Sequence, residues 1–183
     1  MLNRVIDKTF SKVSGPVFLI AIVIFMVFIL LVLPNEAERS EKYFKDSPAP
    51  DSSFLYSGED LYRMAENFGA EGRAYYIRSR FTFDIVWPLA YGLFLCTAMV
   101  YLGRRLKHTK TRYLILLPIL GVLLDYMENT GASLVMLMYP ARVPILPHIV
   151  PIFTTAKWLS IGAGFIALLL LIIYRGIAVL KSK

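Results

Sequence analysis

Residues 17–33 form an unbroken apolar run, VFLIAIVIFMVFILLVL, in which no side chain is polar. A helix that is apolar on every side is either buried in a large core or crosses a membrane, and a span needs about 20 mostly apolar residues. Three further apolar runs follow at 85–102, 113–139 and 149–174. We therefore predict an all-α integral membrane four-helix bundle, a single domain over 1–183, with spans at about 16–34, 82–102, 113–139 and 149–174.

The composition agrees with this class, since 57% of the residues are hydrophobic against about 45–50% in soluble domains. The first run exceeds the roughly 7–15 apolar residues of a signal-peptide core, and no small-x-small cleavage motif precedes Pro34. We interpret it as a retained anchor; a signal peptide is the alternative. Cys96 is the only cysteine, which excludes a disulfide framework and a thiolate metal cluster.

The net charge of +7 is distributed unevenly along the chain. Basic residues cluster before the first span, between the second and third, and after the fourth, whereas 34–81 mixes acids and bases. Positive loops stay cytoplasmic, so we predict cytoplasmic termini and an extracytoplasmic helical cap at 35–81. The charge indicates anionic membrane lipids as partners rather than nucleic acid. The basic residues are Arg4, Lys8, Lys12, Arg104, Arg105, Lys107, Lys110, Arg112, Arg175, Lys181 and Lys183.

The cap is predicted to contain an irregular strap over 34–56 followed by a helix. Ser57 is a suitable N-cap, and Leu61, Met64, Ala65 and Phe68 recur at helical spacing. Gly69 is expected to end this helix.

A second helix is predicted to begin near Ala70 and to run straight into the second span. Pro88 is expected to kink this helix unless neighbouring groups satisfy the freed carbonyl. The proline-rich stretch 140–151 is predicted to be a rigid connection, with Pro151 in the first turn of the last helix.

Ionisable residues interrupt the last three spans. At about 100° per residue, Asp125, Glu128 and Asn129 share one face of the third span with small residues. Asp84 and Tyr91 lie on one stripe of the second span, and Lys157 on a stripe of the fourth. An ionised group at the centre of a span costs at least about 2.5–3.5 kcal/mol. We therefore expect these side chains to meet inside the bundle.

One lysine cannot neutralise three carboxylates. Lys157 is expected to pair with Glu128, Asp84 or both, and the remaining acids to be protonated, paired with Arg78 or Arg80, or bound to a cation or ligand. Glu71, Arg73, Arg78 and Arg80 fit solvated helix pairs or, alternatively, a clamp for an anion or head group. His148 is interpreted as a loop residue, and no metal or cofactor site is predicted.

Two segments resemble a known family. EGRAYYIRSRFTFDIVWPLAYG and LPILGVLLDYMEN carry EGR, D-x-x-x-P-x-x-Y-G and D-Y-x-E-N, and resemble a bacterial family of four-span membrane proteins without an assigned activity. The resemblance covers roughly 56–175 and implies the four-helix topology and a location in the bacterial cytoplasmic (inner) membrane. A weaker similarity of layout is to the emopamil-binding sterol isomerase superfamily, which implies a lipid-like ligand, although the predicted spans lack the histidine of its isomerase members.

Three functions fit this pattern. The first is a site that binds, or binds and transforms, a small amphiphile or lipid-like molecule. Asp84, Asp125 and Glu128 would be its acid–base or recognition groups, with Asn129, Tyr91 and Lys157 binding or orienting the ligand. The second is a transporter or proton relay, since carboxylates inside a membrane also mark such pathways. The third is a non-catalytic assembly protein, and the sequence also allows a homo-oligomer.

Overall fold

A computed structural model describes residues 13–44, 46–104 and 109–181, which are almost entirely helical and contain no β-strand. Helix α1 comprises an α-helix (Gly15–Val27), a π-helical turn (Phe28–Val32) and a second α-helix (Leu33–Phe44). Helices α2 (Gly58–Arg80), α3 (Phe83–Gly103), α4 (Leu116–Met138) and α5 (Leu146–Leu180) follow. Short 3₁₀ helices occupy Pro50–Ser52 and Thr109–Ile115. The predicted all-α class is confirmed.

Four helical segments of the described chain are long and apolar enough to cross a membrane: Gly15–Phe44, Gly58–Gly103, Thr111–Met138 and Leu146–Leu180. Large apolar side chains cover their outer faces, and Leu19 of α1 and Leu159 of α5 are each 61% exposed. Such a surface is unfavourable in water and is expected of a helix bundle in lipid.

The first span does not end at Pro34. The predicted irregular strap over 34–56 is wrong for its first part, because helix continues to Phe44. Pro34 lacks an N–H and its ring crowds the carbonyl four residues earlier. The wider π-helical turn Phe28–Val32 directly precedes it, and such turns accommodate an interrupted hydrogen-bond ladder. The irregular strap is therefore 46–57, shorter than expected.

Gly69 divides α2, as predicted, with a positive φ of 64°. The guanidinium of Arg73 donates a hydrogen bond of 2.9 Å to the Ala65 carbonyl, which satisfies a carbonyl left free at this interruption. Ser57 and Asp60 form the capping box at the start of α2. Leu61 and Phe68 are fully buried on the apolar face.

The cap helix does not run straight into the second span. The backbone leaves helical geometry at Phe81 and Thr82, and α3 begins afresh at Phe83. The Thr82 hydroxyl donates to the Arg78 carbonyl at 2.7 Å, and hydroxyl bonds of this kind compete with the backbone ladder. Helix α3 continues through Pro88, and Tyr126 donates to the nearby Ile85 carbonyl at 2.8 Å.

The last helix begins earlier than predicted. Helix α5 starts at Leu146 with Pro147 in its first turn, so Pro151 lies within the helix and the proposed rigid connection is shorter. His148 consequently belongs to the first turn of α5 rather than to a loop. Proline is favoured at the first helical positions because its missing N–H is not needed there.

Helices α3, α4 and α5 pack closely together, with α1 against the side of α3. Helix α2 and the strap lie across one end of the bundle, which we call the covered end. There Phe44, Phe68 and Tyr76 join α4 and α5 residues in one apolar core. A second core, with Leu95, Met99 and Leu168, fills the other half of the bundle. Several basic residues used to predict orientation lie outside the described residues: Arg4, Lys8, Lys12, Arg105, Lys107 and Lys183.

Candidate functional site

Helical periodicity places the polar residues of three helices inside the bundle. Asp84, Pro88, Tyr91 and Leu95 are buried on α3. Pro118, Gly121, Asp125, Glu128, Asn129 and Ala132 are buried on α4, and Thr154, Lys157, Ser160 and Gly164 on α5. Small residues permit this approach: a Cβ at Gly121 would lie 2.9 Å from Ile161 Cγ1. The predicted inward faces are confirmed.

The first group of charges, the lysine cluster, consists of Asp125, Glu128 and Lys157. The Lys157 ammonium forms a short ion pair with Glu128 and lies 3.5 Å from Asp125 Oδ1. All three side chains are at least nine-tenths buried. Tyr91 donates to Asp125 Oδ2 at 3.0 Å, and the Asn129 amide donates to Oδ1 at 3.2 Å. The Asp125 carboxyl is therefore held in a fixed orientation.

The second group, the arginine cluster, consists of Asp51, Arg80 and Asp84. Arg80 Nη1 lies 2.9 Å from Asp51 Oδ2 and 2.5 Å from Asp84 Oδ2. The Arg80 guanidinium also lies over the Tyr76 ring, 4.7 Å from its centroid. Burial acts to raise the pKa of Asp51, but the charges of Arg80 and Lys157 outweigh it and hold that pKa below its usual value. Asp51 is therefore an anion near neutral pH.

Backbone contacts fix the strap over the bundle. The Trp158 indole donates to the Asp51 carbonyl and the Thr155 hydroxyl to the Phe54 carbonyl, each at 3.1 Å. The hydroxyls of Tyr56 and Thr154 are 2.9 Å apart. These contacts hold Asp51 close to Arg80, although the strap itself has little regular structure.

A cavity of about 570 Å³, the membrane cavity, lies between α1, α3 and α5 beneath the strap. Its apolar walls come from α1 (Phe25, Ile29, Leu33), α3 (Phe83, Trp87) and α5 (Trp158, Ile161, Phe165). Its polar side holds Asp51, Arg80, Asp84, Tyr91, Asp125 and Lys157. The volume is within the range of about 300–1,000 Å³ found for small-molecule sites.

Helix α1 closes the membrane cavity only partly. It packs along α3, where Phe25 stacks on Phe94 with ring centroids 4.4 Å apart. Toward α5, the Phe25 ring approaches Phe165 at 6.2 Å between centroids. The cavity reaches the outer surface between α1 and α5 near Ile29 and Trp158, and Trp158 is 42% exposed. We call this opening the slot.

A neighbouring cavity of about 550 Å³, the vestibule, lies on the other side of the strap. It shares Asp51 and Arg80 with the membrane cavity and is lined elsewhere by Glu36, Glu41 and Asp46. The arginine cluster therefore separates a largely apolar cavity from an acidic one.

The predicted pairing of Lys157 is partly corrected. Its partners are Glu128 and Asp125, whereas Asp84 pairs with Arg80. Asp84 lies in the first turn of α3, nearer the covered end than Lys157. Arg80 precedes it by four residues, on the other side of the break at Phe81 and Thr82, and is close enough to pair with it. Glu128 is fully buried and does not line the cavity, so its contact is with Lys157 rather than with the cavity.

Three further candidates lie away from both clusters. Glu71 is exposed. Arg73 bonds to the Ala65 carbonyl in the part of α2 that precedes Gly69, and its guanidinium lies over the Tyr139 ring. The guanidinium of Arg78 lies over the Tyr75 ring. Glu71 and Arg78 lie on faces of α2 roughly opposite Arg80, whereas Arg73 lies about two turns before Arg80 on the same face. None of the three lines the cavity. Within the described residues, no group of three His, Cys, Asp or Glu side chains is arranged to hold a metal ion.

Sequence reasoning missed Asp51, Trp87 and Trp158 as lining residues. Asp51 follows Pro50 in an irregular segment, so no periodicity relates it to the bundle. The sequence does contain a signal for the two tryptophans. Each lies on a predicted span within one helical turn of a candidate site residue, Trp87 near Asp84 and Trp158 next to Lys157.

No protein-family model, curated protein or solved structure matches this chain. Inferences about function therefore rest on the geometry of the clusters and cavities.

Proposed function

We propose that this multi-pass membrane protein binds a small amphiphile or lipid-like molecule in the membrane cavity. The observation that carries the proposal is the division of this cavity into an aromatic, apolar wall and a charged side. A ligand tail would lie against Phe25, Ile29 and Phe165, and its head would face Asp84 and Asp125. A mostly apolar pocket with a small number of polar groups, which fix the orientation of the ligand, is typical of small-molecule sites.

The slot between α1 and α5 supports entry from the bilayer. An amphiphile already dissolved in lipid could slide sideways past Ile29 and Trp158 without leaving an apolar environment. Because α1 contributes only apolar side chains to the cavity, its displacement would break no ion pair among the described residues.

Within the site, Asp84 and Asp125 are the recognition groups and the carboxyls placed for acid–base chemistry. Tyr91 and Asn129 hold Asp125 in position through their hydrogen bonds. Glu128 acts as a positioning residue, since it fixes Lys157 from the side opposite the cavity.

The proposed location is the bacterial cytoplasmic membrane, with the covered end outside. Arg104, Arg112, Arg175 and Lys181 lie toward the opposite end of the bundle, and positive loops stay cytoplasmic. The proposed bacterial four-span family also fits this arrangement, because D-x-x-x-P-x-x-Y-G supplies Asp84 and Tyr91 and D-Y-x-E-N supplies Asp125, Glu128 and Asn129.

A transport pathway through the bundle receives less support. Beyond Asp125, away from the covered end, the interior is filled by Leu95, Met99 and Val100, each no more than 2% exposed. A Cβ at Gly164 would already be 3.5 Å from Leu95 Cδ1. Ions would meet a packed apolar layer there.

Tryptophan fluorescence provides the test, because the chain has two tryptophans and both line the membrane cavity. A Trp158→Phe variant leaves Trp87 as the reporter, and brominated single-chain amphiphiles quench indoles on contact. We expect saturable quenching in mild detergent, reduced in Asp84→Asn and Asp125→Asn but retained in the surface variant Glu38→Gln. If no head-group class gives saturable quenching of Trp87, the proposed function is wrong.

A further inference from the structure

The acidic and basic side chains around the membrane cavity do not pair one to one. In each cluster one base lies between two carboxylates: Arg80 between Asp51 and Asp84, and Lys157 between Asp125 and Glu128. Helix α1 adds no charge to the cavity lining, and Tyr91 is the remaining titratable side chain in it. With its acids ionised, each cluster therefore carries a net negative charge.

Both bases are already engaged, which disfavours an anionic head group. A phosphate or carboxylate that approached Arg80 or Lys157 would displace a bonded carboxylate or add to the excess negative charge. Isolated charges are costly in a medium of low dielectric constant, and like charges brought together there repel strongly.

Asp84 keeps an oxygen without a hydrogen-bond donor among the described residues. Asp84 is 4% exposed and lines the cavity, its Oδ2 is in ion-pair contact with Arg80, and no described residue donates a hydrogen bond to Oδ1. A cation in the cavity would offset the negative charge of this carboxylate, and a cation that carries N–H groups would also donate a hydrogen bond to it.

The walls suit a cation as well. Phe83, Trp87, Tyr91 and Trp158 line the cavity beside Asp84 and Lys157, and the Lys157 ammonium already lies 5.3 Å from the centre of the Trp158 ring. Aromatic faces attract cations through their quadrupole, most strongly when both are removed from water. Anions gain nothing comparable from these walls.

Building on the proposed function, we propose that the membrane cavity selects single-chain amphiphiles with a positively charged, ammonium-type head group. The head would lie between Asp84 and Asp125, against the indole of Trp87, and the chain would extend toward Ile29 and the slot. The cavity is too small for a whole two-chain phospholipid, so one chain or a compact ring system is the matching tail.

The experiment compares brominated amphiphiles of equal chain length that differ in their head group, with Trp87 in the Trp158→Phe variant as reporter. The heads are trimethylammonium, a neutral sugar and sulfate. We expect the cation to bind at least about tenfold more tightly than either, equivalent to about 1.4 kcal/mol. A quaternary ammonium keeps its charge at every pH used.

A brominated two-chain lipid with the same trimethylammonium head, supplied in nanodiscs, distinguishes a membrane lipid from a single-chain ligand. Quenching that saturates with the single-chain compound alone supports the proposal. Preferential saturable quenching by the two-chain lipid overturns the single-chain assignment.

Variants locate the source of charge selectivity. Asp84→Asn should reduce the preference for the cation about tenfold, whereas Asp84→Glu should restore much of it and Glu38→Gln should leave it unchanged. Equal or tighter binding of the neutral or anionic compound overturns the head-group assignment but leaves the proposed function standing. The head-group series is also run on the unmodified chain, with both indoles as reporters and every contact of the two clusters intact, so it remains decisive if an aspartate variant fails to fold.

Discussion

Arg80 and Lys157 each connect their own helix to two carboxylates on neighbouring elements. Arg80 of α2 joins the strap to α3, and Lys157 of α5 binds two residues of α4. A base in such a position stabilises the packing of the helices that contribute its partners. It also limits the negative charge left beside the cavity.

Replacement of Lys157 by Met should destabilise the protein strongly. It leaves Glu128 and Asp125 without their base, and loss of one partner of a buried ion pair costs about 3–5 kcal/mol. Thermal unfolding in mild detergent measures the effect. The matched control is Lys42→Met, since the Lys42–Glu38 pair is about two-thirds exposed and such pairs contribute about 0.2–1 kcal/mol.

Adding Glu128→Gln to the Lys157→Met variant should recover part of this loss, because the uncompensated buried charge is removed. Equal midpoints for Lys157→Met and Lys42→Met would show that Lys157 does not neutralise the buried acids.

At the scale of elements, glycines set how closely helices approach. Gly72 is buried where α2 meets the end of α1, and a Cβ there would lie 2.6 Å from the Tyr43 carbonyl oxygen and 2.9 Å from Phe68 Cβ. Gly162 on α5 has no atom within 4 Å of such a Cβ. The two positions therefore form a matched pair.

Gly72→Ala should separate the end of α1 from α2 and destabilise the protein by about 1–3 kcal/mol, as overpacking does. Gly162→Ala should be neutral or stabilising by up to about 1 kcal/mol, because alanine favours helix. Thermal unfolding of the two variants tests this. An equal response at both positions would contradict the close contact between α1 and α2.

The N-cap of α2 offers a second test at this scale. Ser57→Ala removes the side-chain acceptor for the Asp60 N–H and should cost about 0.5–2 kcal/mol. Hydrogen bonds from the Ser57 side chain and backbone, with help from Arg63, lower the pKa of Asp60 to about 2. The pKa of Asp60 is therefore lower in the folded protein than in the unfolded chain, where it is near 4. The contribution of ionised Asp60 to folding stability is complete above about pH 4 and is lost as the pH falls toward 2.

Stability against pH for the unmodified chain and Ser57→Ala measures this contribution. The difference between them should be constant above about pH 4 and should shrink below it. A difference that persists undiminished at pH 2 would argue against the Ser57–Asp60 box.

The sequence was informative wherever helical periodicity applies. The apolar runs predicted the spans, and the 100° rotation per residue placed Asp84, Asp125 and Lys157 inside. It failed at boundaries that depend on contacts between distant segments, such as the break at Phe81–Thr82 and the extension of α1 to Phe44. Asp51 was missed for the same reason: side chains of Thr155 and Trp158, about a hundred residues later, hold the strap over the bundle.

At the scale of the whole molecule, two cavities meet at the arginine cluster. The membrane cavity lies between α1, α3 and α5, and the vestibule has several acidic residues in its lining. The half of the bundle away from the covered end is packed with apolar side chains. Such an asymmetric interior favours binding from one half of the bilayer over passage through it.

Native mass spectrometry with added alkyltrimethylammonium tests most directly whether the membrane cavity is a ligand site. The unmodified chain and Glu38→Gln should each retain one molecule of the amphiphile, and an Asp84→Asn, Asp125→Asn double variant should lose it at the same concentration. Thermal unfolding verifies that the double variant is folded. The absence of a one-to-one adduct, or an adduct that persists unchanged in the folded double variant, would contradict the assignment of this cavity as the binding site.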